Sequence, residues 1–257
     1  MKKRNLGRNI IISGAGSGIG KETAKLLAKS DFNLILLGRN KQKLEETKYL
    51  IEETHSNSNI KTYACDISNE KALDECFLKI QKSFSKIFGL VNNAGINLAR
   101  EDIVHTNVDD WKSVLETNLS GTYFLTKKTI PLMIKEKEGS IVNISSIAGI
   151  LGMKNRFSYS VTKSALLGFT RSISADYAEY RIRSNCVCPG YINTPLTEKM
   201  LNSLSKKDYQ ALVAKHPLGI GKELYVAEAI KFLLSEKSKW ITGANIPVDG
   251  GYSLGRD

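Results

Sequence analysis

A tyrosine and a lysine four residues apart, Tyr159 and Lys163, are the pair in this chain best suited to moving a proton. Ala165, Phe169, Ile173 and Tyr177 recur at four-residue steps, which predicts a helix from Phe157 onward, and residues four apart on a helix share a face. A free phenol titrates at about 10 and exchanges protons poorly at neutral pH unless a neighbouring ammonium stabilises its anion. The same spacing also describes a commonplace solvated pair. The chemistry therefore requires a cofactor and a carbonyl-binding group from the rest of the chain.

A cofactor cradle lies near the amino end. Asn9 to Ser13 reads as a short apolar strand that runs into Gly14-Ala-Gly-Ser17-Gly18-Ile19-Gly20, after which Thr23, Leu26 and Leu27 mark the inner face of a helix. A strand, a glycine turn and a helix amino terminus present bare N–H groups and the positive end of the helix dipole to a pyrophosphate. Glycine lets that anion approach the main chain closely. A second buried strand, Asn33 to Gly38, follows about twenty residues on, where a carboxylate would bind the ribose of NAD. The sequence there is Gly38-Arg39-Asn40, and an arginine pairs with a 2′-phosphate instead. NADP(H) is thus expected ahead of NAD(H).

Further elements alternate in kind. Lys41 to Glu53 reads as a helix, Ile60 to Ala64 as a strand, Glu70 to Phe84 as a helix, and Gly89 to Val91 as a strand that ends in Asn92-Asn93-Ala94-Gly95. Asp109 to Lys135 reads as one long helix closed by Pro131 and Gly139, followed by strands Ser140 to Ile144 and Arg183 to Cys188, a helix Leu224 to Leu234 and a last strand Asn245 to Val248. This alternation predicts a single α/β domain over residues 1–257, a doubly wound parallel sheet of about seven strands with helices on both faces. Ligands of such sheets sit at the carboxyl ends of the strands, which puts Asn93, Ser145 and Ser146 on the cofactor edge. The polar stretch after Pro189-Gly190-Tyr-Ile192-Asn-Thr194-Pro195 predicts a substrate lid over 195–216.

Composition narrows the function. No apolar run approaches the ~18 residues of a membrane span, and Met1 to Arg4 precedes only a three-residue apolar run, so neither leader nor anchor is expected. The four cysteines and three histidines lack metal-ligand spacing, which predicts reduced core thiols, a cytoplasmic setting and no metal. Of the net charge of +11, +7 falls within residues 1–50, without a basic run or interleaved aromatics. That distribution suits a small polyanion rather than nucleic acid or a membrane surface.

Taken together, Gly14-x-x-x-Gly18-x-Gly20, Asp66, Asn92-Asn-Ala-Gly95, Asn118, Ser146 thirteen before Tyr159, Tyr159-x-x-x-Lys163 and Pro189-Gly190 resemble the short-chain dehydrogenase/reductase family across nearly the whole chain. The resemblance implies a Rossmann-type fold with Tyr159 as the acid in carbonyl reduction and Ser146 as hydrogen-bond donor to the substrate oxygen. It further implies that Lys163 lowers the Tyr159 pKa and holds the nicotinamide ribose, while the Asn118 main chain and side chain position a water linking Lys163 to solvent. Adjacent serines on a strand point to opposite faces, and the family spacing selects Ser146 over Ser145. By the same resemblance Asp66 and Ile67 meet the adenine; Asn93, Ala94 and Gly95 meet its ribose; Ile192 and Thr194, after Pro189-Gly190, meet the carboxamide. Ser17 stands where many NADP(H) members carry a Lys or Arg, which leaves Arg39 as the main 2′-phosphate partner.

Among subgroups the chain looks most like the 3-oxoacyl-[acyl-carrier-protein] reductases of fatty acid biosynthesis. Tyr180 replaces their usual carrier-facing arginine, and Lys137 with Arg181 is the alternative docking patch. The implied substrate is a small or carrier-bound ketone, and the implied assembly a homotetramer or homodimer through the Tyr159 helix and the last helix and strand. An NAD(H)-dependent alcohol, sugar or steroid dehydrogenase and a non-catalytic dinucleotide-binding regulator are the rival readings.

Overall fold

A computed structural model describes residues 7–55, 59–98 and 100–254. Met1 to Arg4, where no leader is expected, lie outside the described residues. Seven strands, β1 (Asn9–Ser13), β2 (Asn33–Gly38), β3 (Ile60–Ala64), β4 (Gly89–Asn92), β5 (Gly139–Ile144), β6 (Ile182–Pro189) and β7 (Asn245–Val248), form one sheet in the order β3-β2-β1-β4-β5-β6-β7. All pairings are parallel. The chain starts in the middle, winds out to β3, returns beside β1 and winds the other way, so a crevice opens at the carboxyl ends of β1 and β4, where the strand order reverses.

Helices α1 (Gly18–Ala28), α2 (Lys41–Glu52), α3 (Glu70–Ser83), α4 (Val108–Leu115), α5 (Gly121–Glu136), α6 (Phe157–Tyr177), α7 (Pro195–Ser203), α8 (Lys206–Ala214) and α9 (Glu223–Leu233) complete the described architecture. Strands β1, β4 and β5 are buried along their whole length, as crossovers covering both sheet faces require, and so read as apolar runs rather than alternations. One core cluster lies on the α1–α9 face around Ile10, Leu34, Val142 and Ile230. The other lies on the α3–α5 face around Ile11, Leu90, Ile141 and Phe77.

One expectation needs correction. The stretch 109–135 is not one continuous α-helix: α4 and α5 are joined by a π-helical turn over Glu116–Ser120, and Pro131 lies inside α5, which runs on to Glu136. A π turn takes in one extra residue, and such turns are frequent at functional sites. The expected lid is two short helices, α7 and α8, split at Leu204–Ser205. Ser205 Oγ accepts the Asp208 N–H and starts the second.

Beneath the crevice runs a buried polar ladder. Asn92 Nδ2 donates to Asn143 Oδ1 at 2.8 Å and to Thr126 Oγ1 at 2.9 Å, and Asn143 Nδ2 donates to Thr170 Oγ1 at 2.9 Å. It ties β4, β5, α5 and α6 together directly below the reacting groups.

Candidate active site

Tyr159 and Lys163 lie on the first two turns of α6 and face the crevice, with Lys163 Nζ 5.6 Å from the centre of the Tyr159 ring. Lys163 is 4% exposed, and its ammonium donates to the Ile144 carbonyl at 2.7 Å. Burial pushes it down to about 8, opposed by the neighbouring Cys186 and Cys188 thiols. It therefore keeps its proton at neutral pH. Burial raises the Tyr159 phenol, while the Ser146 hydroxyl and the Arg156 guanidinium pull it back.

The two serines after β5 divide as the strand geometry requires. Ser146 Oγ accepts the Ala148 N–H at 3.1 Å, which leaves its own proton for the Tyr159 side of the crevice. Ser145 Oγ turns the other way and donates to the Lys163 carbonyl at 2.7 Å. Ser145 thus clamps the helix that carries the reacting pair, a function the motif spacing did not reveal.

Asn118 lies fully buried on the π-helical turn. Its Oδ1 accepts the Ile96 N–H at 2.8 Å, and its Nδ2 donates to the Ile96 carbonyl at 3.0 Å and to Thr162 Oγ1 at 3.2 Å. Both ends of the carboxamide are engaged in fixing the loop after β4 against α6.

All but one of the remaining expected residues line one crevice. Gly14, Ser17, Gly18 and Ile19 line it at the β1–α1 turn, Arg39 beyond β2, and Asp66 and Ile67 beyond β3. Asn93, Ala94 and Gly95 line it beyond β4, and Pro189, Gly190, Ile192 and Thr194 beyond β6. Gly20 does not line the crevice. A Cβ there would collide with the Gly14 carbonyl, so Gly20 lets α1 pack under the turn. Asn93 is partly a structural residue: its Nδ2 donates to the Ser13 and Gly14 carbonyls, while Ser13 Oγ accepts the Asn93 and Ala94 N–H groups. Ser13, unnoticed in the sequence, thereby joins the ends of β1 and β4.

The crevice fits a dinucleotide on its own geometry. Gly14 and Gly18 have φ of +67° and +52°, so the turn needs glycine to present its N–H groups. A Cβ on Gly95 would stand 3.2 Å from Asn118 Oδ1 and 3.4 Å from Lys163 Nζ, so the floor is bare where a ribose would meet Lys163. Asn40 caps α2 by accepting the Lys43 N–H at 3.0 Å, and no acid occupies that helix's first turn. The positive end of α2 and Arg39 thus flank the same end of the crevice. Lys43, whose Cβ would lie 3.0 Å from a Cβ on Gly16, adds a charge the sequence reading overlooked.

The family profile described as "Enoyl-(Acyl carrier protein) reductase" matches residues 14–253. The chain is 36% identical over 248 residues to the 3-oxoacyl-[acyl-carrier-protein] reductase FabG of Thermotoga maritima, an alignment covering 95% of this chain and 97% of that protein. This chain belongs to the short-chain dehydrogenase/reductase family. In that family it is an NAD(P)-dependent oxidoreductase acting on CH–OH groups. Among solved structures, a levodione reductase superposes with a TM-score of 0.94 at 29% identity, covering 98% of this chain and all of that one. The NADP-bound structure of ElxO superposes with a TM-score of 0.88 at 34% identity, covering 96% of this chain and 99% of that one.

No helix of the described residues is long and apolar enough to cross a membrane. The four cysteines are free and buried, and no cluster of metal-binding side chains occurs among the described residues. Lys137 and Arg181, the expected carrier patch, lie together, with the Gly139 N–H donating to the Arg181 carbonyl at 3.3 Å. They stand at the amino ends of β5 and β6, the full length of β6 from this chain's own crevice.

Proposed function

We propose that this protein is an NADPH-dependent reductase of ketones to secondary alcohols, with 3-oxoacyl thioesters as its substrate class. The observation that carries the reading is that the Ser146 hydroxyl, the Tyr159 phenol it pulls down and protonated Lys163 line one crevice. Two donors aimed at one oxygen suit a C=O that gains negative charge as it is reduced. Bound NADPH supplies the hydride. Ser146 holds the carbonyl oxygen, Tyr159 delivers a proton to it, and Lys163 stabilises the resulting phenolate. Ser145 and Asn118 keep α6 and the β4 loop in place around them.

Preference for NADPH is supported by Arg39, by the positive end of α2, whose first turn carries no acid, and by Lys43 nearby. The substrate class is supported by the likeness to 3-oxoacyl-[acyl-carrier-protein] reductases. Assembly as a homotetramer or homodimer is supported by outward-facing Tyr225, Phe232 and Trp240, the last 96% exposed, on and after α9.

Consumption of NADPH or NADH should be followed with a 3-oxobutanoyl thioester and with its 2-enoyl counterpart. The 3-oxo compound is reduced with NADPH, the enoyl compound is not, and Tyr159→Phe lowers the rate about 10²–10⁴-fold. Arg39→Asp shifts preference toward NADH by about tenfold or more. Turnover of the enoyl compound alone, or of no carbonyl at all, overturns the reading.

A further inference from the structure

The segment that follows α8 holds the loop that follows β6, and a histidine side chain supplies one of the bonds. Tyr191 stands between Gly190 and Ile192, both of which line the crevice. Its carbonyl accepts the Gly221 N–H at 2.9 Å, and the Gly221 carbonyl accepts the Asn193 N–H at 3.0 Å, a short parallel bridge centred on Ile192. The Tyr191 N–H donates to His216 Nε2 at 3.3 Å, so a ring nitrogen takes the place that a main-chain oxygen would hold in a longer ladder. An N–H needs an acceptor. Nε2 therefore carries no proton, and the ring's proton sits on Nδ1, 2.9 Å from the Leu212 carbonyl of α8.

The buried His216 ring is fixed on other sides as well. Tyr191 meets it edge-on with centres 5.6 Å apart, and the Tyr252 ring lies 4.7 Å away. Tyr252 belongs to a turn pinned by Asp249, whose carboxylate accepts the Gly251 N–H at 3.0 Å and the Ser253 N–H at 2.8 Å. The end of α8, the loop after β6 and the turn after β7 thus meet at one imidazole.

What that imidazole steadies is a wall of the crevice. Ile192 and Thr194 are buried and line it. Ile192 packs over Gly221, where a Cβ would collide with its Cδ1, and the Thr194 N–H donates to Thr197 Oγ1 at 3.1 Å as α7 begins. Ile192 follows Tyr191 directly, so a main chain released by His216 would carry Ile192 with it.

We propose that His216 is a positioning residue for the nicotinamide end of the dinucleotide, acting through the Tyr191 main chain to hold Ile192 and Thr194 where the carboxamide binds. This rests on the reading of the crevice as the dinucleotide site of a carbonyl reductase. Hydride transfer tolerates little displacement of the reacting atoms, so a loosened wall costs rate as well as affinity.

The test separates the two ends of the cofactor. Calorimetry measures NADPH and 2′-phospho-ADP-ribose, which lacks the nicotinamide, on the parent protein and three variants. His216→Phe keeps the ring contacts and removes the acceptor. His216→Asn keeps a donor toward Leu212 and falls short of Tyr191, whereas His216→Gln puts an acceptor back at the Nε2 position. Phe and Asn should each weaken NADPH about tenfold and lower kcat at least as much, with 2′-phospho-ADP-ribose bound as in the parent, which also shows that the variants fold. Gln should recover most of both losses. Equal weakening of the two ligands, unaltered NADPH binding, or a Gln protein as poor as the Phe protein overturns the positioning role. If the parent prefers NADH, the pair NADH and ADP-ribose is read in the same way. A parent that binds the dinucleotide but reduces no ketone overturns the reductase reading alone, and the two affinities still decide the role of His216. A parent that binds neither dinucleotide overturns both.

Discussion

Keeping Lys163 charged beneath the crevice destabilises the fold at neutral pH, by an amount that can be measured. Its ammonium is pushed from 10.5 in the free side chain down to about 8 by burial. Between those two values the unfolded chain holds the proton and the folded chain has released it. Stability contributed by this residue therefore rises as pH increases from about 8 to 10.5, and below 8 the full penalty is present. The drop corresponds to about 3 kcal/mol.

The experiment uses a Tyr159→Phe background, so that the phenol does not titrate alongside. In it, Lys163 is compared with Lys163→Met by urea denaturation, with the fluorescence of Trp111 and Trp240 as the signal. Subtracting the Met protein cancels the common titrations, and the 2.7 Å bond to the Ile144 carbonyl enters only as an offset to a difference whose change with pH is what is read. The difference, Lys minus Met, should grow by about 3 kcal/mol from pH 7 to 10.5. A difference that stays flat over that range refutes the placement of Lys163 as a buried, protonated group.

Two further substitutions separate positioning from chemistry. Ser146→Ala should lower kcat about 10²–10³-fold with stability within about 0.5 kcal/mol of the parent. Ser145→Ala, which removes the bond to the Lys163 carbonyl, should cost about 1 kcal/mol in urea unfolding, so a kinetic loss without a stability loss would contradict that clamp. Gly95→Ala places a methyl group 3.4 Å from Lys163 Nζ and 3.2 Å from Asn118 Oδ1. NADPH affinity should fall about tenfold by calorimetry, and unaltered binding would mean that the ribose does not rest on this floor.

The strands themselves, the glycine turn and the Tyr159–Lys163 face were legible because each follows from local pattern: apolar runs between glycines, and a four-residue spacing on a helix. The crevice was legible too, since strand ends follow directly from strand positions. What escaped the sequence depends on neighbours distant along the chain. Ser13 bridging β1 to β4, Ser145 reaching Lys163 and Asn118 gripping Ile96 span gaps of 18 to 81 residues. The π-helical turn was invisible because Pro131 and Gly139 gave a stronger stop signal than anything around Asn118 gave for an extra residue.

The asparagine ladder beneath the crevice also bears on how the sheet finds its alignment. Strands buried on both faces offer no inside-outside alternation, so apolar packing alone scarcely distinguishes one pairing of β4 with β5 from another slipped along it. Asn92 and Asn143 stand directly opposite each other, and their side chains bond only in that alignment. A slip by one residue would leave two amides without partners among Leu90, Val91, Ile141 and Val142. The ladder therefore works as a ruler for assembly, setting β4 and β5 in step before the loops that carry Gly95 and Ser146 are asked to meet.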